Sequence, residues 1–562
     1  MKKEDHLALV LSIVGLAWML TIVILQPNIA DTADGLSHYF LARFLPQSPS
    51  NALDHWGKPI FTLLAALPAQ WGVKGVMTMN AIFISTSGFL LYLTSKQLGL
   101  RFSFLAPLLL VLSNGVMNTV MGGLTEPTFV LFLSLILYSG LKKRWSTTYI
   151  LTGSLILIRP EAVIVIPLVL IWGMTKGKIR QIPWVGLIPF LFTFYGVLVY
   201  DLNIHWIFSS QPYHVQSIYG NGTWEHYFLK WRIFTSPTLG FLFLLGIILW
   251  RKPWREAIPL VGIPLGILGL HIFLWRFGLM GSAGLPRTLV TALPCMVVVG
   301  INAFEPLKGK HIRILAYAVI IWVIIDFLRY NRYPKGRSVP DRTAMELSEK
   351  INSFIDESSE VWYQYSGSAQ HLNLNVFDHS RVFRLWSLNK LEPGLSVRKG
   401  GILIWDNLTG HREGQLPLAR IRRSRYFEPI DSAGSLEQVK IIAFRAKMIP
   451  DTLIDLALIP SDSSHYFRIK DGILSFKDDR KEVVIFHFDK TDLEELKDSL
   501  HVVIHPLGLP GKAHLNIIAD GHKMEGPLPV DLKIKVPERE LILSLVKFQD
   551  LRIDTLQVFK EH

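Results

Sequence analysis

Long apolar runs separated by short polar stretches dominate residues 1–330. A helix needs about 20 apolar residues to cross the hydrocarbon core of a bilayer. The pattern predicts eleven spanning helices, at about 7–25, 75–95, 102–120, 124–141, 147–158, 162–175, 183–200, 236–250, 257–275, 288–304 and 312–328. The two short runs within 147–175 flank Arg159-Pro160-Glu161. We interpret them as paired short helices whose charged junction lies in a cavity, because a lipid-facing break would leave backbone groups unpaired.

Lysine and arginine mark every second connection between these runs. They occur at Lys2 and Lys3, Lys96 and Arg101, Lys142–Arg144, Lys176–Arg180, Arg251–Arg255 and Lys308–Arg313. The positive-inside rule places these connections in the cytoplasm. With eleven spans, we expect a cytoplasmic N-terminus on a retained first span, a multi-pass protein of a bacterial inner membrane, and an extracytoplasmic C-terminal part.

The second half of the chain is far more polar and predicts two further domains. A helix from Pro340-Asp341 carries Ala344, Leu347, Ile351 and Phe354 at helical spacing, and short apolar runs follow, which predicts an extracytoplasmic α/β domain over 335–446. Short alternating runs at 483–488, 502–505, 515–518, 532–536 and 541–546 predict an all-β sandwich over 447–562. The predicted fold is therefore a polytopic helical membrane domain, residues 1–330, followed by these two domains.

Composition narrows the possible partners. The 562 residues are 50% hydrophobic, and mean hydropathy is +0.32. The net charge of +13 lies largely in the short connections, so it is a topology signal and predicts no nucleic-acid partner. The single cysteine, Cys295, excludes an intrachain disulfide. The sequence contains no P-loop and no G-x-G-x-x-G motif after a predicted strand. It therefore gives no support for a nucleotide-sugar site.

The connection after the first span concentrates residues capable of chemistry. It holds three carboxylates, two histidines and a lysine, at Asp31, Asp34, His38, Asp54, His55 and Lys58. A partly desolvated carboxylate here is suited to act as a general base. The alternative is a solvated polar loop. The histidines with Asp34 or Asp54 could instead hold a divalent metal, but no tight ligand spacing supports one, and we predict no metal or other cofactor.

Four charged residues lie where predicted spans meet the outer surface. Glu126 precedes Pro127 at one span start, Arg159 and Glu161 flank Pro160, and Arg287 follows Gly284-Leu285-Pro286. Charged residues at membrane boundaries are functional candidates by default, and an arginine suits a lipid phosphate. The alternatives are a helix-start acid for Glu126, an internal ion pair for Arg159 and Glu161, and interfacial snorkelling for Arg287.

Together these segments resemble the GT-C glycosyltransferases, the superfamily of protein O-mannosyltransferases and lipid A aminoarabinose transferases. The likeness covers roughly residues 1–445 and rests on the following segments: Asp34-Gly-Leu-Ser-His-Tyr39, His55-Trp-Gly-Lys-Pro59, Gly123-Leu-Thr-Glu-Pro127, Arg159-Pro-Glu161, Gly284-Leu-Pro-Arg287 and Gly401-Ile-Leu-Ile-Trp-Asp406.

The resemblance implies an inverting, hexosyl or mannosyl-type transfer from a polyprenyl-phosphate sugar to a glycan, lipid or protein acceptor. Asp34 best matches the aspartate that deprotonates the acceptor, with Asp31 second, because this loop reads Asp-Thr-Ala-Asp and has no adjacent acids. Glu126, Arg159 and Arg287 would line the cavity, and Arg287 would hold the donor phosphate. The competing hypotheses are a lipid-headgroup transferase, a lipid or glycan transporter, and a non-catalytic assembly protein.

Overall fold

The computed structural model describes residues 3–209, 215–217, 219–305, 310–356, 358–388, 396–411, 413–424 and 427–447, and a series of strands between 452 and 561. The described residues up to 330 are almost entirely helical. Their α-helices are α1 Lys3–Leu25, α2 Asp34–Arg43, α3 Pro59–Ala65, α4 Val73–Gln97, α5 Ala106–Val111, α6 Asn114–Met121, α7 Glu126–Leu141, α8 Trp145–Ser154, α9 Ala162–Thr175, α10 Leu187–Tyr200, α11 Trp206–Ser209, α12 His226–Leu229, α13 Pro237–Ile248, α14 Trp254–Phe277, α15 Leu293–Asn302 and α16 Lys310–Tyr330.

Short 3₁₀ segments adjoin several of these helices. They are Pro49–Leu53, Pro68–Trp71, Ser103–Leu105, Leu155–Leu157, Ile179–Gly186, Trp231–Ile233 and Pro286–Ala292. The last of these leads directly into α15 and carries Arg287 at its start. Residues 59–71 contain α3 and the 3₁₀ segment Pro68–Trp71, with Trp71 largely exposed.

Four described helices are long and apolar enough to cross a membrane: Lys3–Leu25, Val73–Gln97, Ile179–Tyr200 and Trp254–Phe277. A fifth crossing is formed if Ser103–Val111 and Asn114–Met121, which meet at a bend of 56°, act as one broken span. Shorter apolar helices occupy Glu126–Leu141, Ala162–Thr175, Pro237–Ile248 and Pro286–Asn302. The structure thus has several apolar helices of a membrane protein, and the count of eleven stays a prediction.

The short pair predicted around Arg159 is present as two helices. Trp145–Ser154 continues as the 3₁₀ turn Leu155–Leu157, and Ala162–Thr175 starts directly after Glu161. Glu161 has no exposed surface, so the charged junction lies inside the protein. This position brings Arg159 and Glu161 to the candidate site.

Residues 335–447, here called the α/β segment, form a five-stranded sheet with three helices. The strands are β1 Val361–Tyr363, β2 Val382–Arg384, β3 Ile402–Asp406, β4 Phe427–Gly434 and β5 Lys440–Ala446, and the helices are α17 Val339–Ile351, α18 Ser366–His371 and α19 Leu418–Arg423. The sheet order is β2-β1-β3-β5-β4, with β1 parallel to both β2 and β3. Helix α17 begins at a Ser338 cap and buries Ala344, Leu347 and Ile351 as predicted.

The prediction for Phe354 was wrong. Helix α17 ends at Ile351, and Phe354 lies in the following 3₁₀ turn with an exposed ring. The guanidinium carbon of Arg445 lies 5.0 Å from the centre of that ring. Once the helix ends, the helical spacing no longer directs this side chain to the core, and a cation covers its face instead.

The C-terminal part is β structure, as predicted. Its strands are β6 Thr452–Asp455, β7 Phe467–Lys470, β8 Ile473–Phe476, β9 Glu482–Phe488, β10 Ser499–Pro506, β11 His514–Ala519, β12 His522–Pro527, β13 Val530–Lys535, β14 Leu541–Val546 and β15 Arg552–Glu561. They form an antiparallel sheet in the order β13-β10-β15-β8-β7, with β6 also paired to β15, and a second in the order β12-β11-β14-β9. The domain boundaries and the sandwich arrangement stay predictions.

The α/β segment contacts the connection after α1 through buried polar side chains. The Asn28 amide donates to Asp341 Oδ1 at 2.7 Å, and Asp341 also pairs with His371 at 2.8 Å and Arg337 at 2.9 Å. Gln370 completes the group, since it exchanges hydrogen bonds with Asn28. This group, the Asp341 cluster, fixes the α/β segment against the loop that carries Asp31 and Asp34.

Candidate active site

Helix α2 brings the first-loop acids to one place. Asp34 opens the helix, and His38 follows one turn later on the same face. The backbone of Gly35 approaches the end of α6 so closely that a Cβ at this position would lie 1.9 Å from the carbonyl oxygen of Gly122. Only glycine allows this approach, which brings Asp34 next to the turn that precedes Glu126.

Arg287 joins the two aspartates. Its Nη1 pairs with Asp31 Oδ2 and its Nη2 with Asp34 Oδ2, and its Nε lies 3.9 Å from Glu126 Oε1. Because these residues come from α2 and the loop before it, from the start of α7 and from the 3₁₀ turn before α15, the guanidinium connects three separate parts of the chain. The alternative role of Arg287, snorkelling of an exposed side chain to the membrane interface, does not fit this structure, because the side chain is only 15% exposed and pairs with carboxylates.

Arg159 extends the network on the other side of Glu126. Its Nη1 lies 3.0 Å from Glu126 Oε1 and donates to Thr125 Oγ1 at 2.9 Å, while its Nε and Nη2 bind Glu161. Glu161 also pairs with His271 Nε2 at 3.2 Å. Six predicted residues therefore form one connected set, which we call the Arg287 cluster: Asp31, Asp34, Glu126, Arg159, Glu161 and Arg287.

The cluster contains more negative than positive charge. Four carboxylates face two guanidinium groups. The charge of Lys58 also interacts with Asp34, Glu161 and His38. Glu126 is 2% exposed, yet its Oε2 has no hydrogen-bond partner. A buried carboxylate oxygen without a partner costs free energy, so the arrangement is not optimised for stability alone.

The two candidate bases differ in what they bind. Asp31 Oδ1 accepts from the backbone N–H groups of Ala33 at 3.1 Å and Gly35 at 3.4 Å, so Asp31 also caps the start of α2. Among the described residues, the Asp34 side chain binds only Arg287, and it is 36% exposed, compared with 20% for Asp31. Desolvation by the surrounding protein raises the pKa of Asp34, and the negative charges of Asp31 and Glu126 raise it further, although the positive charge of Arg287 acts in the opposite direction.

His38 and His55 are held as neutral aromatic side chains. His38 is buried with its ring edge-on to Trp56 at 4.5 Å, and its Nδ1 has no partner. Burial, followed by the charges of Lys58, Arg159 and Arg287, lowers the pKa of His38 well below its usual value. His55 packs against Trp206, and burial lowers the pKa of His55 to about 4.

Lys58 is a buried cation in a strained conformation. It has φ of +60°, which is uncommon for a residue other than glycine, and it precedes Pro59 at the start of α3. Its ammonium donates to the His55 carbonyl at 3.1 Å. Burial and the charge of Arg159 lower the pKa of Lys58 to about 8. Asp54 shapes this turn, since its Oδ1 accepts from the Gly57 N–H at 2.8 Å.

Two network members were not predicted from the sequence. His271 lies within the apolar helix α14 and Thr125 directly precedes Glu126. A histidine inside a predicted span is a signal that sequence analysis can use. Among the described residues, no three His, Cys, Asp or Glu side chains are grouped as a metal ion would require.

Two solved structures of one protein have a fold similar to that of this chain. The structure of ArnT from Cupriavidus metallidurans bound to undecaprenyl phosphate superimposes with a TM-score of 0.53 at 11% identity, over 77% of this chain and 97% of that one. The apo form of the same protein gives the same values. The chain has a GT-C fold. ArnT is an aminoarabinose transferase, a membrane glycosyltransferase of that superfamily.

A further neighbour with a GT-C fold is the arabinofuranosyltransferase AftD from Mycobacteria, with a TM-score of 0.45 and 9% identity over 98% of this chain and 59% of that one. No family model and no curated protein matches the sequence. The likeness to ArnT confirms the GT-C fold that the short motifs predicted.

Proposed function

We propose that this protein transfers a sugar from a polyprenyl-phosphate donor to an acceptor at the outer face of a bacterial inner membrane, with inversion at the anomeric carbon. The observation that carries the proposal is the Arg287 cluster, in which two loop aspartates share one arginine beside Glu126 and Arg159. The ArnT structure, which contains undecaprenyl phosphate, supports this class of donor. The proposed sugar is a hexosyl unit of the mannosyl type.

The proposed reaction is a single displacement. The acceptor hydroxyl attacks the anomeric carbon, the bond from that carbon to the phosphate oxygen breaks, and polyprenyl phosphate leaves. Asp34 accepts the hydroxyl proton as general base. Its raised pKa suits this task, because a base with a higher proton affinity takes the proton more readily.

Arg287 links donor binding to the activation of Asp34. Without donor, its two Nη groups are occupied by Asp31 and Asp34. A donor phosphate that binds the guanidinium bidentately must displace at least one carboxylate. The Asp34 carboxylate is the more easily displaced of the two, because Asp31 is also fixed to the start of α2 by hydrogen bonds. Loss of its cation and arrival of an anion both raise the proton affinity of Asp34, so the base becomes effective once the donor is present.

Lys58 and Arg159 would supply the remaining positive charge around the leaving phosphate. The charges of both residues act on His38, which follows Asp34 by one helical turn, and this supports a place for them near Asp34. A neutral His38 with a free Nδ1 can bind a hydroxyl of donor or acceptor without adding charge. Glu126 and Glu161 would keep Arg159 in place.

The proposal also fixes the orientation of the chain. The N-terminus would be cytoplasmic, and the first loop and residues 335–562 would be extracytoplasmic. The contacts of the Asp341 cluster support a common side for the first loop and the α/β segment. Reporter fusions after Gly336 should be active only outside the cytoplasm, and fusions after Arg144 only inside.

Transfer of radiolabel from a polyprenyl-phosphate sugar to a membrane extract tests the function. Purified wild-type protein should label the extract, and Asp34→Asn protein of equal folding should not. The proposed step uses no metal, so a chelator should leave the rate unchanged. Absence of label from every polyprenyl-phosphate hexose tried would refute the proposal, and a transporter would then be tested by donor translocation.

A further inference from the structure

The topology of the α/β segment creates a switch point at the carboxyl ends of its parallel strands. From β1 the chain passes through α18 to β2 on one side, whereas β3 pairs on the other side of β1, and all three strands are parallel. The connections after β1 and β3 therefore leave in opposite directions. In open α/β sheets, ligands bind at the carboxyl ends of the strands at such a switch point.

Unpaired polar atoms are concentrated at this edge. Among the described residues of the α/β segment, the buried side-chain atoms without a hydrogen-bond partner are Tyr363 Oη, Gln364 Oε1 and Ser368 Oγ. Their residues are 1%, 9% and 2% exposed. All three lie within six positions of the chain, at the end of β1 and in the helix that follows. Buried polar groups are normally paired, so three such atoms together indicate that a ligand supplies their partners.

The same edge contacts the catalytic loop. Tyr365, between Gln364 and Ser368, hydrogen-bonds through its Oη to Thr32 Oγ1 at 2.8 Å. Thr32 directly follows Asp31 and lies two positions before Asp34. Gln370 at the end of α18 binds Asn28 in the same loop. A molecule held at the carboxyl end of β1 is therefore next to the segment that carries both candidate bases.

The chemistry of the three atoms is neutral. A phenol and a serine hydroxyl can each donate and accept, and the amide oxygen accepts. These groups match sugar hydroxyls. An anionic headgroup would need a cation, and the described cation at this edge, Arg384, is occupied: its Nη1 donates to the Gln364 carbonyl at 2.8 Å, and its guanidinium covers the Tyr363 ring at 4.4 Å.

We propose that Tyr363, Gln364 and Ser368 form the acceptor subsite and that the acceptor is a hydroxyl-rich glycan. The inference rests on the proposed function, in which Asp34 deprotonates an acceptor hydroxyl. The α/β segment would hold one sugar unit of the acceptor, and the next hydroxyl along it would reach the first loop. The subsite thus selects the acceptor, whereas the Arg287 cluster binds the donor phosphate through Arg287 and supplies the base Asp34.

Removal of single atoms tests the subsite. Tyr363→Phe, Ser368→Ala and Gln364→Met should each raise the apparent KM for acceptor in a titrated membrane extract by about 5- to 10-fold, the value of one neutral hydrogen bond. The kcat and the KM for donor should not change. Because these atoms have no protein partner, the melting temperature should not fall. Ser348→Ala is the matched control, since Ser348 is a buried serine of α17 that already donates to Ala344.

A binding measurement separates this inference from the proposed function. Hydrogen exchange of residues 361–371 is followed in the full-length protein with oligosaccharides released from source membranes by mild acid, and without donor. Protection in both wild type and Asp34→Asn, but not in Ser368→Ala, supports the subsite even if no transfer is found. Transfer without protection, an unchanged acceptor KM in all three variants, or protection by a lipid or peptide extract in place of oligosaccharides, overturns it.

Discussion

The Arg287 cluster and the Asp341 cluster are both buried polar groups, but they are built differently. Asp341 has one carboxylate and receives hydrogen bonds from Asn28, His371 and Arg337. Although burial acts against ionisation, these bonds hold the pKa of Asp341 below its usual value. In the Arg287 cluster carboxylates outnumber the guanidinium groups, Glu126 keeps an unpaired oxygen, and the pKa of Asp34 is raised.

These opposite pKa shifts indicate which of the two clusters serves stability. A carboxylate with a lowered pKa stabilises the folded state once it is ionised, whereas one with a raised pKa destabilises it. The Asp341 cluster therefore fixes the α/β segment to the first loop. The Arg287 cluster retains unfavourable charge, which is typical of sites arranged for chemistry. Four predictions test this contrast.

The largest expected effect is on catalysis by Asp34→Asn. The change is nearly isosteric and removes only the ability to accept a proton and carry charge. We expect kcat for radiolabel transfer to fall by about 10²- to 10⁴-fold, the usual contribution of a general base. The melting temperature at neutral pH should stay level or rise, because a carboxylate is lost from a crowded site. Asp31→Asn should retain more activity, because an asparagine oxygen can still cap α2, whereas Asp31→Ala should also lose stability, because it removes that cap. Loss of transfer in Asp31→Asn with activity retained in Asp34→Asn would make Asp31 the base.

Arg287→Ala should come next and act on donor affinity. Loss of a charge-assisted hydrogen bond weakens binding by about 10- to 150-fold. Arg287→Lys should restore only part of the affinity, because a lysine keeps the charge but lacks the planar fork. Binding of undecaprenyl phosphate to purified protein measures both. Equal affinity in wild type and Arg287→Ala would remove this residue from the donor site.

Asp341→Asn should affect stability and leave the chemical step alone. Replacing the acceptor of three hydrogen bonds should lower the free energy of unfolding by about 1–3 kcal/mol. Because the folded pKa of Asp341 is lowered, its contribution is present above the unfolded pKa and is lost as pH falls through the folded value. Denaturation at neutral and acid pH measures this. A kcat loss in fully folded Asp341→Asn protein would contradict the division between the clusters.

The smallest effect concerns the alkaline pH dependence. Lys58 has a pKa of about 8 and should lose its proton, and with it part of the donor affinity, as pH rises through that value. We expect kcat/KM for donor to fall several-fold above pH 8 in the wild type. Lys58→Arg should extend the plateau to higher pH, since arginine stays charged. An identical alkaline limb in Lys58→Arg would exclude Lys58 as its source.

The sequence predicted the members of the Arg287 cluster better than their arrangement. Charged residues at span boundaries are rare enough to be recognised one at a time, so Glu126, Arg159, Glu161 and Arg287 were found. Their pairing depends on helix packing that no local pattern encodes. Arg287 pairs with Asp31 and Asp34, and His271 contacts Glu161, across long distances in the sequence. The cap that Asp31 provides is local, but it depends on side-chain geometry.

The fold shows the same limit. Apolar periodicity predicted α17 and several C-terminal strands, including Glu482–Phe488 and Leu541–Val546, because each pattern is local. The bend of 56° between Ser103–Val111 and Asn114–Met121 was not predicted, since the whole stretch reads as one apolar run. The end of α17 before Phe354 was missed because the apolar spacing continues past the last helical turn.

The exchange of Asp34 for donor phosphate at Arg287 can be tested directly by the affinity of purified Asp34→Asn protein for undecaprenyl phosphate, measured beside the wild type at pH 7. If donor phosphate displaces Asp34 from Arg287, removing this competing charge should make binding several-fold tighter, although transfer is abolished. Asp54→Asn is the matched control, because Asp54 caps a nearby turn and does not bind Arg287. Donor binding to Asp34→Asn that is unchanged or weaker than in the wild type would contradict the exchange at Arg287.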